Sequence, residues 1–402
     1  MKKMAKIEYL RKKLVHEKEL NVRRESLFLN VSERTTRRYI DEIFSLGIGT
    51  KFHGGIRLGN IDTGLMVSKA IEESRSVTLI GEREVVSTKG EKNGSSLYIF
   101  GSFNLDVVTE VSRFPKVGET ITALATTFFP GGKGANQATA AAQLNDNVHL
   151  FVKVGKDTFG DNAEKYFSAS HLDSVALVRD EKNNTGNALV TVEEKTGNNT
   201  IVIDLGANAN VTRDEIINDY AHLIQASVCL LQLENNIDAT RCVIELAKEA
   251  GCYVILNPAP YSDEINTHLH LVDLLIPNES EAELITGVKV TDIASAEGAI
   301  KIIDEKGVKE VIITLGSKGC IYYNGEVLKH YKALRATVVD TSGAGDAFNG
   351  SLAASLVDGL NIDNSIKLAV AFSSLAVEKH GASSMPSRTT VLERLKSGIY
   401  ID

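Results

Sequence analysis

From Ser95 onward, short apolar runs alternate with longer amphipathic stretches, and that alternation leaves few folds open. The runs are Leu97–Gly101, Leu150–Val154, Val228–Leu233, Tyr253–Leu256, Leu274–Ile276 and Val311–Thr314, with helical stretches such as 238–250 and 295–306 between them. Strands that are apolar along their whole length are covered on both faces, and intervening helices provide the crossovers that parallel strands require. The pattern predicts an α/β fold: three layers, α/β/α, around a mostly parallel sheet. Two stretches, 104–127 and 185–204, alternate apolar and polar residues instead and predict a small accessory β-sheet. All six prolines lie in this part of the chain, each near an element end.

The charge is distributed unevenly. Residues 1–60 hold 14 lysines and arginines against 7 acidic residues, a net of +7, so the remainder carries −15 of a total of −8. A basic head on an acidic body implies two parts with different partners. Residues 1–59 read as helix, helix, helix, hairpin. Ile7, Leu10 and Leu14 mark one helical face, Val22 to Leu29 a second short helix, and Ser32 caps a third that runs to about Phe44. Lys51 to Arg57, with His53-Gly54-Gly55 in the middle, predicts a small β-wing. Residues 60–94 are polar and read as a linker in which Met66 to Ser74 has helical character. The expected domains are 1–59 and 95–402.

Composition closes off other classes. With 43% hydrophobic and 24% charged residues, the 402-residue chain is too apolar to be disordered and long enough for two or three domains. No apolar run approaches the roughly 20 residues of a membrane span. The basic start lacks the apolar region of a signal peptide. Cys229, Cys242, Cys252 and Cys320 form no CxxC pair and no zinc spacing, so they read as reduced core thiols of a cytoplasmic protein.

Three clusters carry chemistry. Gly101-Ser102-Phe103-Asn104-Leu105-Asp106 follows the first strand, at the sheet edge where open α/β folds bind ligands. Asn104 and Asp106, two apart, point the same way on an extended chain and offer an amide and a carboxylate to hydroxyls. Pro130-Gly131-Gly132-Lys133-Gly134-Ala135-Asn136-Gln137-Ala138 lets backbone approach a ligand before an alanine-rich helix whose N-terminus is positive. It fits neither a Walker A loop nor GxGxxG. Asp340-Thr341-Ser342-Gly343-Ala344-Gly345-Asp346 aims successive N–H groups at one point and leaves Asp346 in a first helical turn. A carboxylate beside an anion nest suits deprotonation of an alcohol that attacks a phosphoryl group. Taken singly, each cluster also reads as an Asx turn, a glycine-rich turn or a capping aspartate.

Together, and in this order, the clusters resemble the ribokinase family of sugar and nucleoside kinases, the phosphofructokinase-B group, over about residues 95–402. The resemblance implies a ribokinase-like fold with a small β-lid built from 104–127 and 185–204. Asp346 would be the catalytic base, and Gly343, Ala344 and Gly345 the anion hole. Asn104, Asp106, Gly132, Lys133, Gly134, Ala135, Asn136 and Glu234 match sugar-binding positions. Asn278 and Glu281 match the family's Asn-x-x-Glu motif, linked to Mg²⁺ and phosphate placement. Thr314, Leu315, Gly316, Ser317, Lys318 and Gly319 match the nucleotide loop for ATP. Asp340, Ser342, Ala376, Lys379, Gly381 and Ser384 would line a monovalent-cation site, usually K⁺. Paired lids form the dimer contact of that family and imply a homodimer. The GGKGANQA segment is similar to that of ribokinases proper, which implies ribose. The third cluster has the general family form, so 2-deoxyribose or another sugar or nucleoside stays open.

Residues 1–59 resemble the winged helix-turn-helix of DeoR-type transcriptional regulators, on Val31 to Ile40 and the His53-Gly54-Gly55 wing. That resemblance implies DNA as a partner, with Arg34, Thr35, Arg37 and Arg38 on the recognition helix and Lys51 and Arg57 on the wing. The sugar-phosphate effector domain usual in such regulators is absent, and the kinase-like part stands in its place. An active kinase with a DNA-binding head is one reading. A regulator that uses the kinase fold as a sugar sensor is the other.

Overall fold

The computed structural model describes residues 9–10, 19–29, 31–45, 50–52, 55–57 and 96–401. Contacts divide the chain into two units, Met1–Glu84 and Val85–Asp402. The expected linker, its helical stretch at 66–74, and His53 and Gly54 of the wing lie outside the described residues.

In the first unit, β1 (Glu19–Asn21), α1 (Val22–Phe28), α2 (Glu33–Ser45), β2 (Thr50–Phe52) and β3 (Gly55–Arg57) follow one another, and the strands pair antiparallel in the order β1-β3-β2. The Asn21 side chain accepts from the Arg23 and Arg24 N–H groups and caps α1. Ser32 Oγ accepts from the Thr35 N–H at the start of α2, as its sequence position predicts. Leu10, Leu20, Val22, Leu29, Tyr39 and Ile40 are buried, whereas Arg34, Arg37 and Arg38 are exposed.

The second unit is built on a nine-stranded sheet. Its parallel part contains β4 (Ser96–Phe100), β7 (Val148–Gly155), β8 (Ser174–Asp180), β11 (Ala226–Leu231), β12 (Tyr253–Leu256), β13 (Leu274–Leu275) and β14 (Glu310–Thr314). β15 (Cys320–Tyr323) and β16 (Leu328–Tyr331) add an antiparallel edge. Alternate residues of β4 face opposite layers. Leu97 and Ile99 pack with the alanines of α3 (Lys133–Ala142) and of α9 (Ala344–Val357), in a core that α10 (Ile362–Ala376) also joins. Tyr98 faces the other way, and its hydroxyl donates to Asp219 on α5 (Arg213–Leu223) at 2.9 Å. α6 (Ile237–Glu249) packs against β12, and α8 (Ile293–Glu305) against β14. Small residues on α3 and α9 let the two helices approach closely, so their N-termini start side by side at the sheet edge.

The accessory sheet is also present. β5 (Asn104–Val111), β6 (Ala125–Gly131), β9 (Gly186–Glu193) and β10 (Asn199–Asp204) form four strands in the order β10-β9-β5-β6. Residues 112–124, inside the first alternating stretch, connect β5 to β6 as a loop. All four cysteines are free and buried, and burial pushes their thiols up. Among the described residues no helix is long and apolar enough to cross a membrane.

Candidate active site

Strand ends and helix starts meet at the C-terminal edge of the parallel strands. β4 ends at Phe100, and two residues on Ser102 Oγ donates to Glu234 Oε2 at 2.5 Å. The same Glu234 oxygen accepts the Lys133 N–H at 2.9 Å, which fixes the glycine-rich turn over the end of β11. Gly132 has φ 90, and a Cβ there would lie 2.7 Å from the Asn104 amide nitrogen, so only glycine brings the turn this close to β5. Asn104 is buried, and its Oδ1 accepts from Asn208 Nδ2 at 2.9 Å. Asp106 sits two residues on along β5. Burial, with Glu234 and then Asp346 nearby, pushes its carboxyl up to about 7.

Asp346 lies in the first turn of α9, buried, with both carboxylate oxygens held. Asn136 Nδ2 donates to Oδ2 at 3.1 Å and Gln137 Nε2 to Oδ1 at 2.9 Å. Gly343, left-handed at φ 73, caps the helix, and a Cβ there would lie 2.6 Å from the Ala382 carbonyl oxygen. The Ala344 N–H reaches back to the Thr341 carbonyl at 3.2 Å, so this donor of the expected anion hole is shared with the turn. For the Lys133 ammonium, burial is outweighed by Asp346, Glu234 and Glu281, which raise its pKa and keep it charged.

The nucleotide motifs are adjacent. Asn278 and Thr314 form a parallel bridge, and the Thr314 N–H donates to the Pro277 carbonyl at 3.0 Å. Asn278 and Glu281 form a capping box at the start of α7 (Glu279–Thr286). Burial, with a smaller contribution from Asp346, pushes the Glu281 carboxyl up against the opposing pull of the Asn278 N–H and Lys133. Leu315 and Gly319 close the loop with an N–H to carbonyl bond of 2.8 Å, Gly316 and Ser317 are exposed, and Lys318 Nζ donates to the Thr291 carbonyl at 2.6 Å.

The expected cation-site residues partly converge. Asp340 accepts from the Ser342 N–H at 2.8 Å and the Gly381 N–H at 2.9 Å. These bonds, with the Ser342 hydroxyl and His380, outweigh burial and lower the Asp340 carboxyl. The Gly381 carbonyl accepts from the Ser384 N–H and the Ala376 carbonyl from the Lys379 N–H, so the segment folds back beside Asp340.

A family model described as pfkB family carbohydrate kinase matches residues 95–389. The chain belongs to this family. It is 36% identical to a ribokinase of Haemophilus influenzae over 305 residues, 75% of this chain and 98% of that protein. It is 34% identical to a deoxyribokinase of Salmonella typhimurium over 291 residues, 72% of this chain and 95% of that protein. Among solved structures, that of Arabidopsis thaliana ribokinase complexed with ribose and ATP matches with a TM-score of 0.69 and 34% identity, covering 75% of this chain and 99% of that one. The chain is an ATP-dependent sugar kinase of the pfkB family.

This pfkB kinase also uses residues around the site that sequence reasoning passed over. Asn208 bonds Phe103 and Asn104, yet nothing in the local sequence of its 3₁₀ turn sets it apart from other loop asparagines. Ser102 and Gln137 lie inside the motifs themselves, and Gln232 and Asn257 directly follow β11 and β12, where strand ends face ligands. Away from the site, His149, Asp219 and His222 bring potential ligand atoms within 4.8 Å of one another. The two imidazoles stack at 3.9 Å and 8°, so their in-plane lone pairs run parallel instead of converging on an ion.

Proposed function

We propose that this kinase phosphorylates D-ribose at its primary hydroxyl to give ribose 5-phosphate, and that residues 1–59 are a winged helix-turn-helix head that binds DNA. The observation that carries the kinase reading is Asp346: a buried carboxylate at a helix N-terminus, bonded by two residues in the first turns of α3, just after the glycine-rich turn. In this reading Asp346 takes the hydroxyl proton as the sugar oxygen attacks the γ-phosphorus and ADP leaves. N–H groups of Gly343, Ala344 and Gly345 face the charge that develops. Asn104, Asp106, Lys133 and Asn136 hold the sugar's other hydroxyls, with Gly132, Gly134 and Ala135 shaping the turn. Glu234 anchors that turn, and the loop Thr314 to Gly319 holds the nucleotide.

The residues present fit two cations. Glu281 and Asn278 supply the oxygen donors that Mg²⁺ prefers, and Asp340, its carboxyl held low by the Gly381 and Ser342 N–H groups, would supply an oxygen to K⁺. Such ions supply charge neutralisation to the transferring phosphoryl group. Ser342, Ala376, Lys379, Gly381 and Ser384 would complete the K⁺ site. The lid exposes Leu124, Phe128, Leu189, Ile201, Val202 and Ile203, which supports pairing of two lids in a homodimer. For the head, exposed Arg34, Arg37 and Arg38 on α2 and the net charge of +7 support DNA binding, with Thr35 on the same helix and Lys51 and Arg57 on the paired strands β2 and β3.

The test is a panel of ribose, 2-deoxyribose, fructose and pseudouridine with MgATP and K⁺, comparing kcat/KM. Ribose is expected to lead and Asp346→Asn to abolish turnover. A preference for 2-deoxyribose transfers the assignment to the deoxyribokinase reading, which the Salmonella relative supports. No turnover on any sugar or nucleoside leaves the sensor reading.

A further inference from the structure

The Asp346 carboxylate is held from outside the sugar motif by a chain of buried amides whose direction can be derived. The chain begins at the Ile276 carbonyl, a group that only accepts. Asn257 Nδ2 therefore faces it, at 3.0 Å, and Asn257 Oδ1 faces Gln137. Gln137 must then present nitrogen there, at 3.2 Å, and the same Nε2 donates its other hydrogen to Asp346 Oδ1 at 2.9 Å. That leaves Gln137 Oε1 for Gln232 Nε2, at 2.6 Å. The opposite amide orientation would set oxygen against the carboxylate and against Asn257 Oδ1. Gln137, Gln232, Asn257 and Asp346 are all buried, so water does not scramble the order.

We infer that Gln137 is a positioning residue for phosphoryl transfer, with Gln232 and Asn257 locking its amide so that the Asp346 carboxylate meets the sugar hydroxyl in one fixed rotation. The inference rests on Asp346 as the base. Gln137 reaches the substrate only through Asp346, whereas its neighbour Asn136 keeps an unpartnered buried Oδ1. The relay also ties four elements together. Asp346 rides on α9 and Gln137 on α3, and Gln232 and Asn257 directly follow strands β11 and β12. The base is thereby referenced to the sheet that carries Glu234, so sliding of α9 along α3 does not carry it away from the sugar.

The charged groups that also face Asp346 are Lys133, Asp106 and Glu281, and these are unchanged by the variants below. In the full chain, Gln137→Met is expected to lower kcat about a hundredfold, the scale of a small misplacement of a reacting group. The KM for the sugar should stay within about twofold, a split between kcat and KM that a general loss of structure would not give. Gln137→Glu keeps the shape and sets a second carboxyl against the first, so its kcat should fall as well with KM held. It serves where the methionine variant does not fold. Gln232→Met, which frees the Gln137 amide to turn, should lower kcat by less, again with KM held. An unchanged kcat, or a kcat that falls only together with a rise in KM, in folded Gln137→Met or Gln137→Glu overturns the positioning role. Asp346→Asn run alongside separates the two claims: if it retains turnover, the assignment of the base itself fails, whatever Gln137 does.

Discussion

Asp106 is the group whose ionisation this fold most disturbs within reach of neutral pH. Burial is the largest cause, and Glu234 and Asp346 add repulsion, together pushing its carboxyl up to about 7. As a carboxylate it accepts hydroxyl hydrogens, and as an acid it loses part of that capacity. The folded value lies above the ordinary one, so the ionised, hydroxyl-accepting form is lost as pH falls through about 7. The KM for the sugar should therefore rise below pH 7, approaching tenfold per unit at lower pH, where each unit costs a factor of about ten in ionised fraction. Asp106→Asn should flatten that slope while weakening sugar binding at all pH values. Steady-state KM measured across about two units on either side of pH 7 reads it. A KM independent of pH in the unmodified chain would show that Asp106 stays ionised or does not touch the sugar.

At the scale of elements, the site is a contact between a strand start and a helix start, and Gly132 is the hinge of it. Its φ of 90 is strained for any other residue, and a Cβ would press on Asn104 N and Phe103 Cα, both backbone. Gly132→Ala should separate β5 from α3 and lower kcat/KM for the sugar by about a hundredfold or more, with a loss of about 1–3 kcal/mol in stability. Sugar kinetics and thermal unfolding would check both. Much of this was legible beforehand. Strands such as Tyr253–Leu256 are continuous apolar runs, and the glycines of 131–134 point to close backbone approach once the three clusters are taken together. The accessory-sheet strands show through alternation, although β10 is exposed along its whole length. Other parts were not legible. β8, with the short apolar run Val175–Val178, is only half-buried at one edge of the sheet, and the other edge strand β16, Leu-Lys-His-Tyr, is short and polar. Asn208 and the Gln232–Gln137–Asn257 relay depend on elements brought together by folding, with partners 95 to 120 residues apart for Gln137 alone, and no local pattern encodes such a pairing.

For the whole molecule, the question is whether the acidic body needs its basic head. The Haemophilus influenzae ribokinase matches this chain over 98% of its own length while leaving a quarter of this chain unmatched, and the family model begins at residue 95. A kinase of this family is thus complete without residues 1–94. A chain starting at residue 95 should keep kcat and sugar KM within about twofold, because the described side-chain bonds of Asp346, Glu234 and Asn104 join residues between Ser102 and Asp346. DNA binding should move the other way. The head carries +7 and the remainder −15, so the proposed DNA binding would draw its electrostatic attraction from the head. The full chain should bind duplex DNA with an affinity that falls by orders of magnitude between about 50 and 200 mM salt, and the shortened chain should show no binding. Fluorescence anisotropy across a salt series, beside a coupled kinase assay on both chains, decides it. Salt-insensitive binding shared by both chains would deny the head its role, and kinase activity lost with the head would make the two units one machine.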